Sequence, residues 1–416
     1  MKLPMLRYNS AWRFLSLVAI VATITSLGLL NLQTSQCAGA ISANNFLLAM
    51  TVDNATAKLD INNEQQWLKN YEYLSRAGIH NNSKYVFFSS EILIQNISKY
   101  GEEWFKNVPD DDYLAANLSV FTRTKTVKNM LKENYLIKAE NVCKGRHPFV
   151  LFIIPSVADD IEERDAIRWT WLRAAETNSW PRAFIRDHIK HIFLFGRQAS
   201  RREEDYEQLL HESNIVGDIV MADFDDTYRN LSRKVLSGLN WARKYCPGAQ
   251  FVLKTDQDTF INAPLMMEVL HKAQTQIHND SFVMGLEHTF QKPFVVRGGK
   301  WAVSPEEYPL DFYPHYLYGH TYVLSQKAVV DITDTAPYVP LISPEDAFIT
   351  GILPKVAGVS RITARSFTVC CRDIFDCEVV WNQNVALPEV KSPSLIAQLW
   401  ANIITHSCND TGKFIR

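Results

Sequence analysis

No lysine or arginine occurs between Arg13 and Lys58. Inside that gap, Phe14 to Leu30 carries no charged residue and is mostly apolar. Lys2, Arg7 and Arg13 stand ahead of it. Basic residues stay on the cytosolic side of a membrane, so this asymmetry predicts a cytosolic N-terminus and a lumenal or external remainder. The apolar run is shorter than the roughly 20 residues of an average span and longer than the usual core of a signal peptide. An uncleaved anchor at 14–30 is expected, and a cleaved signal ending near Cys37-Ala38-Gly39 is the competing interpretation. A short span suits the thinner membranes of the early secretory route.

Other absences narrow the class further. Positive charge is not in excess: the formal net charge is -2, so no global basic field points to nucleic acid or anionic lipid. No Cys-x-x-Cys pair, His-rich zinc pattern, internal repeat or low-complexity tract occurs. There are seven cysteines, Cys37 and six in the remainder. Six can pair as disulfides in an oxidising compartment, but sequence does not give the pairing. With 416 residues, 47% of them hydrophobic, the chain can bury one large core and carry extensions.

What is present fits the lumenal side. Asn-x-Ser/Thr sequons stand at Asn54, Asn81, Asn96, Asn117, Asn230, Asn279 and Asn409, none with proline in the middle. Four crowd into one polar stretch downstream of the anchor, which predicts glycans there. Residues 31–140 are Asn-rich with scattered aromatics and no sustained apolar period. The expected organisation is a cytoplasmic tail (1–13), an anchor (14–30), a lumenal stem (31–140) and a catalytic domain (141–416).

From residue 148 the pattern changes. Pro148–Pro155 reads as a buried strand and Asp159–Glu176 as a helix with an acidic first turn. Strand 191–196, helix 201–214, strand 218–222 and a helix through Leu231, Val235, Leu239 and Ala242 follow. Strands alternating with helices predict an α/β domain with a mostly parallel central sheet. The order after Ile277 is less regular.

The fourth strand, from Phe251, ends in Lys254-Thr255-Asp256-Gln257-Asp258. Alternation along a strand would aim Asp256 and Asp258 into one space beyond its carboxyl end, where open α/β sheets bind ligands. Hard carboxylate oxygens suit Mn²⁺ or Mg²⁺ together with substrate phosphates. A solvated acidic turn is the plain alternative, and Asp110-Asp111-Asp112 and Asp223-Phe224-Asp225 carry the same spacing.

Three further groups stand out. Arg164 and Arg168 lie one helical turn apart and could face a diphosphate or hold a carboxylate of the fold. Gly298–Trp301 and Tyr313–His320 are rich in aromatics that suit sugar rings, although on composition alone loop packing is the safer interpretation. Glu345-Asp346 follows Pro344 at an expected helix start, where capping is the common use.

Taken in order, these motifs resemble the β-1,3-glycosyltransferases, the galactosyl- and N-acetylglucosaminyltransferase family (glycosyltransferase family 31) that includes the Fringe enzymes. The resemblance rests on Arg164-x-x-Ile167-Arg168-x-Thr170-Trp171, Phe195-Gly196, Asp223-Phe224-x-Asp226-x-Tyr228-x-Asn230-Leu231 and Trp241 with Cys246-Pro247. It continues through Lys254-x-Asp256-x-Asp258-x-Phe260, Lys300-Trp301, Tyr313-Pro314-x-Tyr316-x-x-Gly319-x-x-Tyr322-Val323-Leu324-Ser325 and Glu345-Asp346. It spans about residues 145–400.

The resemblance implies a single-pass type II Golgi protein with a GT-A catalytic domain, a UDP-sugar donor and Mn²⁺ (or Mg²⁺). It implies inverting transfer of a hexosyl unit, galactose first, to a sugar hydroxyl of a glycoprotein or glycolipid in β-1,3 linkage. Asp258 becomes the expected metal ligand and Asp346 the expected base. Asp256, Arg164, Arg168 and Lys254 fall on the donor side; Trp301, Tyr316, Gly319 and Glu345 fall on the acceptor or sugar loop. A homodimer is left open, and nucleic acid is not an expected partner. Three departures stand against the family pattern: Gln257 replaces a middle acid, Gly351 comes one residue late after the Glu-Asp pair, and Glu389 stands where a histidine ligand is common. Glu389 would replace that ligand or leave it missing. The alternatives are a non-catalytic lumenal protein that binds glycans or assists a transferase, and a metal-dependent phosphohydrolase.

Overall fold

The computed structural model describes residues 104–114, 121–123, 126, 134–181, 183–197, 203–288, 292–364, 366–367 and 384–405. The expected anchor and the sequons at Asn54, Asn81, Asn96, Asn117 and Asn409 lie outside these residues. No described helix is long and apolar enough to cross a membrane.

The strands are β1 (Phe105–Asn107), β2 (Tyr135–Ile137), β3 (Val150–Pro155), β4 (Ile189–Arg197), β5 (Ile219–Asp225), β6 (Phe251–Thr255), β7 (Phe260–Ile261), β8 (Phe282–Glu287), β9 (Leu317–Ser325), β10 (Ser360–Ala364) and β11 (Ala386–Leu387). The principal helices are α1 (Ile161–Ile167), α2 (Glu203–Val216), α3 (Leu231–Tyr245), α4 (Ala263–Gln276), α5 (Gln326–Thr335), α6 (Leu353–Ala357) and α7 (Pro393–Thr405). Nine strands form one sheet in the order β1-β10-β8-β9-β6-β3-β4-β5-β2, and β7 pairs with β11 apart from it.

The sheet is mixed, not mostly parallel. β3 runs parallel to β4 and β6, β4 to β5, and β8 to β10. β9 is antiparallel to both β6 and β8, and the two outer strands β1 and β2 are antiparallel to their neighbours. Parallel neighbours need a crossover, usually helical; β8 returns to β9 through a loop, so that pair closes antiparallel. β1 and β2 are three residues each, too short for periodicity to reveal. Both come from the stretch expected to be stem, so the folded domain starts no later than Trp104 and the expected boundary at 140 is corrected.

Alternation along the central strands builds two cores. Val150, Phe152 and Ile154 face one with Trp171, Phe193 and Leu253. Leu151 and Ile153 face the other with Leu194, Leu239, Trp241 and Phe348. This is the double burial expected of interior strands. A Cys143–Cys246 disulfide, Cα–Cα 5.2 Å, ties the approach to β3 to the end of α3. Removing this bond should cost about 2–5 kcal/mol. Thermal midpoints of the wild type with and without reductant, and of Cys246→Ser, check it; unchanged midpoints would show the bond to be dispensable.

The expected helix at 159–176 forms from Ile161, but it widens into a π turn at Arg168–Leu172, with Thr170 in non-helical geometry. Its arginines enter a buried ionic network. All five N–H groups of Arg164 are engaged, by both Glu212 oxygens, Ser156 Oγ, Val157 O and Ala158 O. Arg168 grips Asp218 with two bonds of 2.8 Å and pairs with Glu212 at 2.7 Å. Sequence had left these arginines between donor and fold; the structure engages Arg164 completely in the fold, where it braces the loop after β3.

His191 closes the network. Nδ1 lies 2.8 Å from Glu176 and Nε2 2.9 Å from Asp218, and only the imidazolium can donate both bonds. Burial pushes the ring toward neutrality, yet Glu176 and Asp218 outweigh it and raise His191 from 6.5 to about 9. A raised folded pKa stabilises fully below the unfolded value and loses that contribution as pH climbs through the folded one. Stability should therefore hold to about pH 6.5 and decline toward pH 9 by up to about 3 kcal/mol from this group. Thermal midpoints of wild type and His191→Gln across pH 6–10 measure it; parallel curves would remove His191 as the cause.

Candidate active site

β6 ends at Thr255, and Asp256 to Thr259 form a turn closed by Thr259 N–H to Asp256 O at 3.2 Å. The two aspartates are therefore gathered by a turn, not by strand alternation, which corrects the sequence rationale. Burial raises the Asp258 carboxyl above its ordinary range, and the charge of Asp256 adds to it. Asp256 is 41% exposed at its side chain. Gln257 Nε2 donates to Asp160 Oδ2, just ahead of α1. An acid at position 257 would instead set two carboxylates against each other.

Lys254 is the last inward residue before the turn, and its side chain is 1% exposed. Its Nζ donates to Asp256 Oδ1 at 2.6 Å and to Gly319 O, and lies 3.5 Å from Glu345 Oε2. Burial disfavours its charge, but Asp256 and Glu345 outweigh that and hold it protonated. Lys254, expected on the donor side, is a buried tie between the two acidic motifs in this fold.

Glu345 is buried and accepts from Tyr322 Oη. Burial raises its carboxyl to about 7, Lys254 opposing and Asp346 adding to the rise. Asp346 is half-buried, and its Oδ1 accepts from Ala347 N–H at 2.9 Å. Its Oδ2 points toward Gly319. Burial raises this carboxyl too. Asp346 thus caps a helix and still presents an oxygen.

A glycine sits close against this pair. A β-carbon at Gly319 would lie 3.2 Å from Asp346 Cβ and 3.5 Å from Glu345 Oε2. The late glycine also has a structural reason. Ala347–Ile352 is a π turn, the way a helix accommodates one extra residue, and such turns recur at functional sites. It brings Gly351 against Tyr316, where a β-carbon would lie 2.9 Å from Tyr316 Cβ. Tyr316 also packs against His288 with the rings tilted, centroids 4.7 Å apart.

The rim is aromatic. Trp301 is 60% and Tyr228 48% exposed. Burial raises the Tyr228 hydroxyl above its ordinary range, and the charges of Asp346, Asp256 and Glu345 add to the rise. Lys300 Nζ sits 4.7 Å from the Tyr228 ring centroid. Tyr228 was part of the recognised motif but had been given no role; its solvent exposure beside three acids is what marks it.

Two further expected sites have distinct surroundings. Glu389 adopts a left-handed backbone (φ 65) and lies 3.5 Å from Lys391 with a 62% exposed side chain. The next residue, Val390, donates its N–H to Asp258 O at 2.7 Å, so the segment reaches the turn. No group of three or more His, Cys, Asp or Glu that could hold a metal forms among the described residues. Asn230 begins α3 with its amide engaged by Asp225 O at 2.8 Å, and Ser232 of its sequon is fully buried. That position serves as a helix start, whereas Asn279 lies in an exposed loop.

The two acidic motifs thus lie together, tied by Lys254, with exposed aromatics nearby. The galactosyltransferase family profile matches residues 162–365. β-1,3-Galactosyltransferase 5 of Gorilla gorilla gorilla is 34% identical over 217 residues, covering 52% of this chain and 68% of its own length. β-1,3-Galactosyltransferase 4 of Homo sapiens is 30% identical over 260 residues, covering 54% and 66%. UDP-GalNAc:β-1,3-N-acetylgalactosaminyltransferase 1 of Sus scrofa is 30% identical over 219 residues, covering 52% and 62%. The chain is a glycosyltransferase. It belongs to the β-1,3-glycosyltransferase family whose profile is that of the galactosyltransferases, as the motif resemblance implies.

Proposed function

We propose that this chain is an inverting, UDP-sugar-dependent β-1,3-hexosyltransferase with a GT-A catalytic domain, galactose being the first donor to test. One observation carries the proposal: buried Lys254 joins Asp256 to Glu345, which sets the Asp-x-Asp turn beside the Glu-Asp pair. In the reaction, an acceptor hydroxyl oxygen forms a bond to the anomeric carbon from the face opposite the diphosphate. Asp346 takes the hydroxyl proton as the bond to UDP breaks. Tyr228 and Trp301 offer ring faces to the sugars, and the Lys254–Glu345–Tyr322 row keeps Asp346 in place. Catalysis is then mainly positioning and charge stabilisation.

The donor set suits a divalent cation. Asp258 is a hard carboxylate whose charge is disfavoured by burial and then by its neighbour Asp256, and Mn²⁺ or Mg²⁺ binds through one or two carboxylates plus substrate phosphates and water. Bound there, the ion would supply positive charge against the departing diphosphate. Glu389 joins as a ligand only if its segment turns inward.

The proposed setting is the Golgi lumen, reached as a type II membrane protein. The charge asymmetry about 14–30, the sequon cluster and the Cys143–Cys246 bond, which needs an oxidising compartment, support it. The test is a panel of UDP-galactose, UDP-N-acetylgalactosamine, UDP-N-acetylglucosamine and UDP-glucose against p-nitrophenyl glycosides, with Mn²⁺ or a chelator. Metal-dependent transfer from one donor supports the proposal. Donor breakdown that ignores every acceptor would favour a phosphohydrolase, and inactivity with intact UDP binding a glycan-binding protein.

A further inference from the structure

Asp110-Asp111-Asp112 carries the same acidic spacing as the active-site turn, yet it lies in the stretch read as stem. The structure gives Asp111 a different role. Its side chain is fully buried. Its carboxylate accepts from Arg361 Nη2 at 2.8 Å and Nη1 at 3.2 Å, from Lys355 Nζ at 2.9 Å and from the His315 backbone N–H at 2.7 Å. Arg361 Nη1 also donates to His315 O at 2.7 Å. Two residues on, Tyr113 Oη donates to Tyr313 O at 2.8 Å, and its ring meets Phe312 and His315 edge-on at 6.1 and 5.5 Å.

The loop from Tyr313 to Tyr316 is thus held at three backbone atoms by the segment that follows β1 and by the arginine that segment neutralises. The loop leads directly to the proposed base. Tyr316 packs on Gly351. Leu317 N–H donates to Thr350 Oγ1 at 2.9 Å, and Thr350 Oγ1 donates to Asp346 O at 2.7 Å. A continuous row of contacts runs from Asp111 to Asp346.

We infer that Asp111 and Tyr113 are positioning residues for transfer: they clamp the 313–316 loop and, through Leu317 and Thr350, fix Asp346 opposite the acceptor hydroxyl. The inference rests on Asp346 being the base. It goes beyond packing because the clamp grips backbone atoms of an active-site loop, where a small misplacement of a reacting group lowers turnover steeply. The clamp also explains why two cations converge on one carboxylate far along the chain: Arg361 at the start of β10 and Lys355 in α6 flank the loop from the other side.

The experiment uses the full chain and the donor–acceptor pair selected by the panel above. Asp111→Asn should lower kcat for transfer by about 10- to 100-fold per folded molecule, and Tyr113→Phe by a few-fold. Donor KM and UDP affinity in Mn²⁺ should stay at wild-type values, because the Asp256–Asp258 turn is untouched. A merely structural role would lower the thermal midpoint and the folded fraction while leaving kcat per folded molecule and both KM values normal. Should Asp111→Asn fail to fold, Tyr113→Phe decides, since it keeps the ionic cluster and removes only the bond to Tyr313 O. Wild-type kcat in Tyr113→Phe, or UDP affinity falling in step with kcat, overturns the clamp. Asp346→Asn runs alongside. Near-normal transfer by that variant overturns the base assignment, whereas its loss beside normal clamp variants overturns the clamp alone.

Discussion

Asp346→Asn should reduce kcat for transfer by about 10²–10⁴-fold, the contribution of a positioned base, and leave UDP affinity near wild type. The separation follows from geometry. Asp346 stands at the start of the Ala347–Ile352 turn and donates nothing to the Asp256–Asp258 turn across Lys254. Asparagine keeps the cap on Ala347 N–H, so the fold should lose about 1 kcal/mol or less. Glu345→Gln is the informative companion. Glu345 is engaged by Tyr322 and Lys254, so its replacement should disturb position and charge without removing the base. Turnover, UDP affinity and thermal midpoint of both variants distinguish the roles. A stable Asp346→Asn protein that binds UDP and transfers sugar at near wild-type rate would sink the assignment.

Asp258→Asn should abolish transfer with the fold intact. A diphosphate cannot leave easily without a cation beside it, and the loss of a metal-holding carboxylate removes several kcal/mol of charge stabilisation, roughly 10³-fold in rate. Asparagine preserves the shape of the turn and leaves the backbone contact with Val390 in place, so the thermal midpoint should barely move. The affinity of UDP should lose its dependence on added Mn²⁺. Full activity in a folded Asp258→Asn enzyme, with Mn²⁺ bound as before, would remove this carboxylate from the mechanism.

The sequence disclosed some of this and concealed the rest for physical reasons. Central strands were legible because burial on both faces leaves long apolar runs, as in Val150–Ile154. β1 and β2 were not, since three residues cannot show a period. The strand order after Ile277 was hidden because β9 inserts between β6 and β8 through a loop, which no local pattern encodes. The Asp-x-Asp turn was found for a partly mistaken reason: spacing suggested alternation, while a turn brings the carboxylates near. The engagement of Arg164 and Lys254 inside the fold was not legible either. Whether a cation faces a ligand or a buried acid depends on partners distant in sequence, here Glu212 for Arg164 and Glu345 for Lys254. The late Gly351 became intelligible only with the π turn.

The Cys143–Cys246 bond decides how the enzyme can be prepared. Bacterial cytosol keeps thiols reduced, so material made there lacks the tie between the β3 approach and the end of α3. Inactive protein from such a host would say nothing about the active site. Production belongs in a secretory host, or in a periplasm with isomerase, where the bond forms before the first assay.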